Sequence, residues 1–237
     1  MKTVLITGGA KRLGRALVKH YASLGWRVLF TCRHSAWEGA LLAEQWGAHV
    51  EGFRCAAADR QTAALIRHWV GSKTNSIDLL ICNASSYKKR LALETLQHDF
   101  DDLVGSNLAG PFFVAQQCHN LLAAAKGCIV NIADAQVAAG LTGFSAYVAA
   151  KAGLVSITKS LALEWAPDIR VNAVLPGTMS WPESTFSAIE KAEMIGRIPA
   201  GRTGEWVDLV RAVEYLQRSE YSSGCCVTVD GGRSIIY

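Results

Sequence analysis

The sequence is poor in features that would divide the chain or carry it through a membrane. It has only 5 prolines among its 237 residues and 19% charged residues, and no proline- or serine-rich linker offers a domain boundary. No apolar run reaches the ~20 residues that a bilayer-spanning helix needs, and the amino terminus, MKTVLITGG, turns too soon for a signal peptide. We therefore expect one domain, residues 1–237, in the cytoplasm, with no membrane segment.

The chain also lacks the residue spacings of disulfide frameworks, metal sites and nucleic-acid-binding surfaces. Its 7 cysteines form no CxxC pair, which is typical of buried thiols in a reducing compartment. The histidines show no metal-ligand spacing with one another. The basic residues are scattered although the formal net charge is +4, so we expect neither a metal nor nucleic acid, and a local anionic ligand would account for the charge.

Apolar residues are abundant, at 50% of the chain, and short apolar runs alternate with helical patterns. The predicted strands are Thr3–Thr7, Arg27–Thr31, His49–Phe53, Ile77–Cys82, Cys128–Ile132, Ile169–Val174 and Cys226–Val229. The predicted helices are Leu13–Leu24, Ala36–Trp46, Gln61–Val70, Leu96–Val104, Leu108–Ala125, Ala146–Trp165 and Val207–Arg218. Near-continuous apolar strands indicate a parallel sheet buried on both faces. The expected fold is α/β, a Rossmann-type doubly wound parallel sheet with helices on both faces, whose ligands bind beyond the carboxyl ends of the strands.

A glycine-rich turn, Thr7-Gly8-Gly9-Ala10-Lys11-Arg12-Leu13-Gly14, joins the first strand to the first helix. Gly8 would let the backbone turn sharply, and Gly14 would let the helix approach the sheet. The amino terminus of that helix offers free N–H groups and a positive dipole to a pyrophosphate. A plain strand-to-helix loop is the alternative, but the position directly after the first strand favours dinucleotide binding.

The segment after the second strand, Thr31–Ser35, contains no acidic residue. NAD-binding domains usually have a carboxylate here that holds the ribose hydroxyls. Arg33 and Ser35, with Arg12 from the preceding turn, would instead meet a 2′-phosphate, and His34 lies between them. The sequence therefore favours NADPH/NADP over NAD. The alternative is that Arg33 and His34 belong to a solvated loop.

Asp59 stands just after the third predicted strand and just before a helical pattern. Its carboxylate is suited to accept a hydrogen bond from the adenine amino group of a bound dinucleotide. A helix N-cap is the alternative, because aspartate is favoured at that position and the helix begins at the next residues. The sequence leaves both interpretations open.

The stretch 132–152 contains residues able to move a proton. Tyr147 and Lys151 are four residues apart and hence on one helical face, and Asp134 lies thirteen positions before the tyrosine. The unperturbed pKa of tyrosine is about 10, but a lysine ammonium one turn away favours the ionised form and makes a usable proton donor and acceptor. Because Tyr-x-x-x-Lys also occurs by chance on helices, the pair has weight only together with its surroundings.

Together these segments resemble the short-chain dehydrogenase/reductases. The motifs are Thr7-Gly8…Gly14, Asn83-Ala84, Asn107, Tyr147…Lys151, Pro176-Gly177 and the closing Val229-Asp230-Gly231-Gly232. The resemblance implies that Tyr147 is the proton donor, that Lys151 binds the nicotinamide ribose and lowers the tyrosine pKa, and that Asn107 anchors a water chain to the lysine. It also implies a homotetramer. The implied cofactor contacts are Gly8, Lys11, Arg12, Leu13, Gly14, Arg33, His34, Ser35, Asp59, Asn83, Ala84, Ser85, Lys151, Pro176, Gly177 and Thr178.

Departures from the family pattern narrow the resemblance. Asp134 replaces the catalytic serine, Arg12 replaces the middle glycine of the phosphate turn, and Cys82-Asn83-Ala84-Ser85 replaces Asn-Asn-Ala-Gly. These features, with Ser86-Tyr87 after them, are similar to the pteridine reductases, in which an aromatic residue stacks the pterin ring against the nicotinamide. The implied substrate contacts are Arg12, Ser85, Tyr87, Asp134 and Tyr147.

Elementary chemistry favours the same substrate class. An ionised aspartate would repel the negative charge that develops on a carbonyl oxygen during reduction, whereas Asp134 suits a C=N group whose nitrogen gains a proton as hydride reaches the carbon. A pterin is flat, rich in nitrogen and able to stack on an aromatic face. The alternative for Asp134 is a degenerate active site in an inactive relative.

The sequence thus predicts NADPH-dependent reduction of a pterin, either a dihydropterin of the biopterin or monapterin kind or, more loosely, dihydrofolate. A general carbonyl or 3-oxoacyl reductase is the second interpretation, against which Asp134 argues. A non-enzymatic dinucleotide sensor is the third, although a sensor has no need of the Tyr147 acid. The segment 178–195, with Trp181 and Phe186, is long enough for a lid over the strand ends.

Overall fold

The computed structural model of the chain describes residues 1–33, 35–180 and 187–236. Its strands are β1 Thr3–Thr7, β2 Arg27–Cys32, β3 Val50–Arg54, β4 Leu79–Cys82, β5 Cys128–Ile132, β6 Arg170–Pro176 and β7 Cys226–Val229. They form one seven-stranded parallel sheet in the order β3-β2-β1-β4-β5-β6-β7. The predicted α/β doubly wound fold is confirmed.

Helices cover both faces of this sheet. They are α1 Arg12–Ser23, α2 Ala36–Trp46, α3 Arg60–Gly71, α4 Gln97–Val104, α5 Gly110–Ala124, α6 Ser145–Glu164, α7 Ala188–Gly196 and α8 Trp206–Arg218. A π-helical turn, Gly105–Ala109, joins α4 to α5, and single 3₁₀ turns occur at Ala135–Ala138 and Arg233–Ile235. Within the described ranges, no helix is long and apolar enough to span a bilayer.

Alternation along each strand explains why the sheet is apolar on both faces. In β1, Val4 and Ile6 pack in the core formed with α1, α2 and α8. The intervening Leu5 packs in the core formed with α3, α5 and α6. Both cores are built from fully or nearly fully buried side chains. The carboxyl ends of β1, β4, β5 and β6 therefore meet at one fixed edge, where the predicted site residues follow the strands.

Helix α7 lies in the segment that the sequence interpretation treats as a loop. Ser187 and Glu190 form a capping box at its start, in which each side chain accepts a hydrogen bond from the other residue's backbone N–H. The Ser-x-x-Glu pattern was a local signal for this helix start. Trp181 and Phe186, the proposed lid residues, lie outside the described residues.

Candidate active site

The phosphate turn between β1 and α1 has the backbone that its glycines predict. Gly8 adopts a left-handed φ of 69°, and a Cβ on Gly14 would lie 2.0 Å from the Gly8 carbonyl oxygen. Asn83, after β4, fixes the turn, since its side-chain amide donates to the carbonyl oxygens of Thr7 and Gly8 at 3.1 and 3.0 Å. The backbone N–H of Ala84 donates to the Thr7 hydroxyl at 3.0 Å. The asparagine and the two glycines thus shape the cradle itself.

The amino end of α1 fits an anionic ligand. Its N-cap residue, Lys11, makes no side-chain capping hydrogen bond, and the first turn contains no acidic residue. The first backbone N–H groups of the helix thus lack a side-chain acceptor, which is the arrangement that binds phosphate. The Lys11 ammonium is exposed and pairs with Glu38 at 2.7 Å, whereas the Leu13 side chain is buried in the core.

Arg12 occupies the position where the family has its middle glycine, and it adopts a glycine-like conformation. Its φ is 52°, which lies in the left-handed region that non-glycine residues rarely adopt. Its guanidinium carbon lies 5.8 Å from the centre of the Trp206 ring, within the range of a cation–π interaction. Sequence reasoning missed Trp206, because no local pattern connects the phosphate turn to the first residue of α8.

The predicted 2′-phosphate segment follows β2 at the same edge of the sheet. Arg33 is exposed and Ser35 is half-buried, whereas His34 lies outside the described residues. Arg12 is exposed as well. Both arginines are therefore open to solvent, and their contact with a 2′-phosphate stays a prediction.

Asp59 is the N-cap of α3, as one of its two interpretations predicts. One oxygen of its carboxylate accepts hydrogen bonds from the backbone N–H and the hydroxyl of Thr62, at 2.8 and 2.9 Å. The backbone hydrogen bond is the main cause that lowers the pKa of Asp59. The contact with adenine stays a prediction.

Asp134 and Tyr147 meet at the centre of the site. Asp134 follows β5 and caps the 3₁₀ turn Ala135–Ala138, with one carboxylate oxygen accepting from the Gln136 backbone N–H at 2.8 Å. Its other oxygen accepts the Tyr147 hydroxyl proton in a 2.7 Å hydrogen bond. The carboxylate is thus held between a backbone donor and a buried phenol.

The Tyr147 pKa is raised in this structure, and a lowering effect of Lys151 on it stays a prediction. Burial raises the pKa of Tyr147, and the charge of Asp134 and its hydrogen bond raise it further. Lys151 Nζ donates to the Ile132 carbonyl oxygen at 2.6 Å and lies 5.9 Å from the Tyr147 ring centre. Burial lowers the pKa of Lys151 to about 8. The sequence spacing placed the ammonium near the ring but did not show that the carboxylate bonds to the hydroxyl.

Asn107 lies in the π-helical turn and is fully buried. Its side-chain N–H groups donate to the carbonyl oxygens of Ser86 and Leu103 at 2.9 and 3.0 Å. Its side-chain oxygen is buried and accepts no hydrogen bond from the described residues. A buried acceptor without a protein partner fits the predicted role of anchoring water.

Two aromatic rings lie beside the Tyr147 ring. Tyr87 stacks on Phe144 with ring centres 4.4 Å apart and planes 20° apart, and it meets Tyr147 edge-on at 4.9 Å. Tyr87 is exposed, and the neighbouring Ser85 is exposed too. Sequence reasoning missed Phe144, although an aromatic residue three positions before Tyr147, at the N-cap of α6, was a signal for it.

The end of β6 packs closely on the end of β7. Pro176 closes β6, and the Gly177 N–H donates to the Val229 carbonyl oxygen at 2.9 Å. A Cβ on Gly177 would lie 2.5 Å from the Asp230 side chain. Thr178 follows, and its hydroxyl accepts a hydrogen bond from the Arg233 guanidinium. The closing motif Val229-Asp230-Gly231-Gly232 ends one residue before Arg233, so no sequence signal points to this contact.

The described parts of the chain contain no cluster of three or more His, Cys, Asp or Glu side chains that could hold a metal ion. The groups that meet at the strand ends are instead a phenol, a carboxylate, an ammonium and an uncapped helix start. This combination suits hydride and proton transfer beside a bound dinucleotide.

Comparison with known proteins shows the family to which the chain belongs. The short chain dehydrogenase family model matches residues 2–191. A tropinone reductase homolog of Arabidopsis thaliana is 33% identical over 99% of this chain and 91% of its own length. The 3-oxoacyl-[acyl-carrier-protein] reductase of Staphylococcus aureus is 31% identical over 98% and 97%. An apo SCOR enzyme from Clostridium thermocellum superposes with a TM-score of 0.90 at 28% identity, over 100% of this chain and 94% of that one. The chain belongs to the short-chain dehydrogenase/reductase family of oxidoreductases.

Proposed function

We propose that this family member is an NADPH-dependent reductase that transfers hydride to a C=N bond of a pterin. The observation that carries the proposal is the 2.7 Å hydrogen bond from the Tyr147 hydroxyl to Asp134. The second oxygen of the carboxylate is fixed by a backbone N–H, so Asp134 cannot move away from the acid without losing that bond. A negative charge thus stands beside the proton donor.

The sign of that charge decides which substrate the site favours. Reduction of a ketone places negative charge on an oxygen beside the donor, and a carboxylate within hydrogen-bond distance of the same donor opposes it. Reduction of C=N adds hydride to carbon and a proton to nitrogen, so positive character at nitrogen is favoured by Asp134. Tyr147 donates that proton once its hydroxyl turns from Asp134 to the nitrogen, and Asp134 lowers the energy of the protonated nitrogen.

The remaining residues of the site have supporting roles in this proposal. Bound NADPH supplies the hydride. Lys151, held by the Ile132 carbonyl oxygen, binds the nicotinamide ribose, and Asn107 anchors the water that returns a proton to the site. Tyr87 offers an exposed aromatic face on which a flat pterin ring can stack.

A second candidate is a general carbonyl or 3-oxoacyl reductase. It is favoured by the relatives, because one curated protein of similar length at 31% identity is a 3-oxoacyl-[acyl-carrier-protein] reductase. The carboxylate of Asp134 is the feature that argues against it, since the family's serine donates a hydrogen bond to the carbonyl and an ionised aspartate cannot.

The proposed assembly is a homotetramer. Exposed apolar side chains on and beside α4, Leu96 and Phe100, lie next to the surface of α6 at Ala149 in a groove of about 450 Å³. Burial of such a surface against another subunit would remove it from water. Light scattering on a sizing column should give four times the mass of the 25.5 kDa chain.

A substrate panel tests the proposed function. NADPH oxidation is followed with dihydrobiopterin, dihydromonapterin, dihydrofolate, a simple ketone and a 3-oxoacyl thioester under the same conditions. We expect the highest kcat/KM with one of the dihydropterins or dihydrofolate. Much faster reduction of the ketone or the thioester would instead establish the second candidate.

A further inference from the structure

The turn after β7 places a cationic side chain, Arg233, at the edge of the sheet where the candidate site lies. Asp230, directly after β7, accepts hydrogen bonds from the backbone N–H groups of Gly232 at 2.9 Å and Ser234 at 2.6 Å. Gly232 adopts a left-handed φ of 86°, which a glycine allows without strain. This backbone is therefore defined by its own hydrogen bonds, and it fixes where the Arg233 side chain starts.

The Arg233 guanidinium lies at the carboxyl end of β6. It donates a hydrogen bond to the hydroxyl of Thr178, two residues beyond that strand. The 3₁₀ turn Arg233–Ile235 also packs against the 3₁₀ turn Ala135–Ala138, which Asp134 caps. Arg233 is thus placed next to the element that holds the catalytic carboxylate.

Arg233 and Asp134 act on the same aromatic ring with opposite signs. Partial burial is the main cause that raises the pKa of Tyr87, the charge of Asp134 raises it further, and the charge of Arg233 lowers it. Tyr87 in turn meets the Tyr147 ring edge-on at 4.9 Å. The exposed Tyr87 face therefore lies in the field of an anion from β5 and a cation from the carboxyl-terminal turn.

Most N–H donors of the Arg233 guanidinium make no hydrogen bond to the described residues. It carries five N–H donors, and its contact with the Thr178 hydroxyl is the one side-chain hydrogen bond it makes within residues 1–33, 35–180 and 187–236. None of the carboxylates in those ranges forms a salt bridge with it. Its side chain is half-buried, where a donor is stronger than in open solvent.

We propose that Arg233 is a specificity-determining residue that donates hydrogen bonds to a carbonyl or carboxylate oxygen of the substrate. The inference rests on the proposed reductase function of the site. A substrate with a protonatable nitrogen near Asp134 and an electronegative oxygen near Arg233 is oriented by both charges at once. In a pterin, the oxygen is either the ring carbonyl or, in dihydrofolate, a carboxylate of the tail.

Kinetics of the complete chain test this role. Arg233→Gln removes the charge and keeps a donor, Arg233→Lys keeps the charge without the planar fork, and Arg218→Gln is the matched control. Arg218 is an exposed arginine of α8 that pairs with Glu214 at 3.3 Å. Loss of a charge-assisted hydrogen bond should raise the substrate KM of Arg233→Gln about tenfold or more. The kcat and the NADPH dissociation constant of Arg233→Gln should stay within about threefold of the values for the unmodified protein. The substrate KM of Arg233→Lys should lie between those of Arg233→Gln and the unmodified protein. Arg218→Gln should match the unmodified protein.

The choice of substrate shows whether Arg233 contacts the ring carbonyl or the tail carboxylate. A KM increase that is equal for dihydrobiopterin and dihydrofolate identifies the ring carbonyl, and an increase confined to dihydrofolate identifies the tail carboxylate. An unchanged KM for every reduced substrate would overturn the role of Arg233, as would a weakening of NADPH binding equal to the KM increase. If the unmodified protein reduces carbonyl substrates only, the pterin proposal fails, and the KM for the best carbonyl substrate then decides the role of Arg233. If it reduces nothing in the panel, both proposals fail.

Discussion

The proposed catalytic cluster, Asp134, Tyr147 and Lys151, and the proposed nucleotide edge, Arg12 and Arg33, differ in how much of their geometry is fixed by the protein. In the cluster, Tyr147 is 6% exposed and Lys151 is 3% exposed, and each polar end makes a hydrogen bond of 2.7 Å or less. At the edge, Arg12 and Arg33 are exposed, and the described residues provide neither with a salt bridge. The groups proposed to do chemistry are held in place before substrate binds, whereas the groups proposed to select the cofactor are not held by salt bridges to the described residues.

This contrast predicts different consequences of mutation in the two regions. Removing a preorganised group should lower turnover, because the lost interaction matters most in the transition state. Removing an exposed arginine should weaken ground-state binding of the cofactor and leave turnover at saturation nearly unchanged. The following variants test this difference between the two regions.

The largest effect is expected at the proton donor. Tyr147→Phe removes the hydroxyl and keeps the buried ring, so the fold and the NADPH dissociation constant should be retained. Turnover should fall by roughly 10²–10⁴-fold, as for other positioned general acids. Steady-state kinetics with fluorescence titration of NADPH measures both quantities. A variant with near-full activity would mean that the proton comes from another group.

A smaller effect, on affinity alone, is expected at the nucleotide edge. Arg33→Ala should raise the NADPH dissociation constant about 10- to 100-fold, the worth of one charge-assisted hydrogen bond. NADH binding should hardly change, because NADH has no 2′-phosphate. Arg218→Ala, on the exposed face of α8, is the control. Equal dissociation constants for NADPH and NADH in the unmodified protein would refute the assignment of the cofactor.

The buried lysine should give the activity a pH dependence. Burial lowers the pKa of Lys151 from 10.5 to about 8, so the ammonium is present below about pH 8 and lost above it. If the ammonium holds the nicotinamide ribose, kcat/KM for NADPH should fall severalfold as the pH rises through about 8.

Protein stability provides the control for that pH profile. The contribution of Lys151 to stability changes with pH in the opposite direction to the expected change in kcat/KM. Between about pH 8 and 10.5 the unfolded chain binds more protons at this residue than the folded chain, so the Lys151 contribution to stability rises with pH. A loss of activity that coincided with unfolding in this range, or a flat activity profile up to pH 10, would contradict the role given to Lys151.

The smallest effect is expected at Tyr87, on which the pterin is proposed to stack. Tyr87→Ala removes the ring that stacks on Phe144, and an aromatic pair contributes about 0.5–1.5 kcal/mol. The pterin KM should therefore rise about two- to tenfold with little change in kcat, since stacking holds the ground and transition states alike. Tyr87→Phe keeps the ring and should behave like the unmodified protein. A loss in kcat alone would assign Tyr87 to the chemical step instead.

The two regions also differ in what the sequence predicted. Strands β1, β5 and β7 were predicted with their observed bounds, and the glycine turn was predicted with its backbone shape, because apolar runs and glycines are local signals. The position of Asp134 was predicted, but its hydrogen bond to Tyr147 and the resulting rise of the Tyr147 pKa depend on how β5 and α6 pack. That packing is set by residues far apart in the chain.

Two of the contacts that sequence reasoning missed are non-local. Trp206, at the start of α8, contacts Arg12, at the start of α1, and Arg233 contacts Thr178 over a separation of 55 residues. Neither contact has a period or a motif that would show it in the sequence. The π-helical turn Gly105–Ala109 was likewise predicted as ordinary helix and loop, because such turns are rare and have no compositional signature.

Exchange of Asp134 for serine tests the central claim, that the carboxylate beside Tyr147 specifies reduction of C=N. Asp134→Ser restores the family's residue, and Asp134→Asn removes the charge while keeping the size. Turnover of dihydropterin should fall about 100-fold or more in both, NADPH binding should stay within about twofold, and the serine variant should gain weak ketone reduction. Unchanged dihydropterin turnover in Asp134→Ser, at saturating NADPH, would contradict the account.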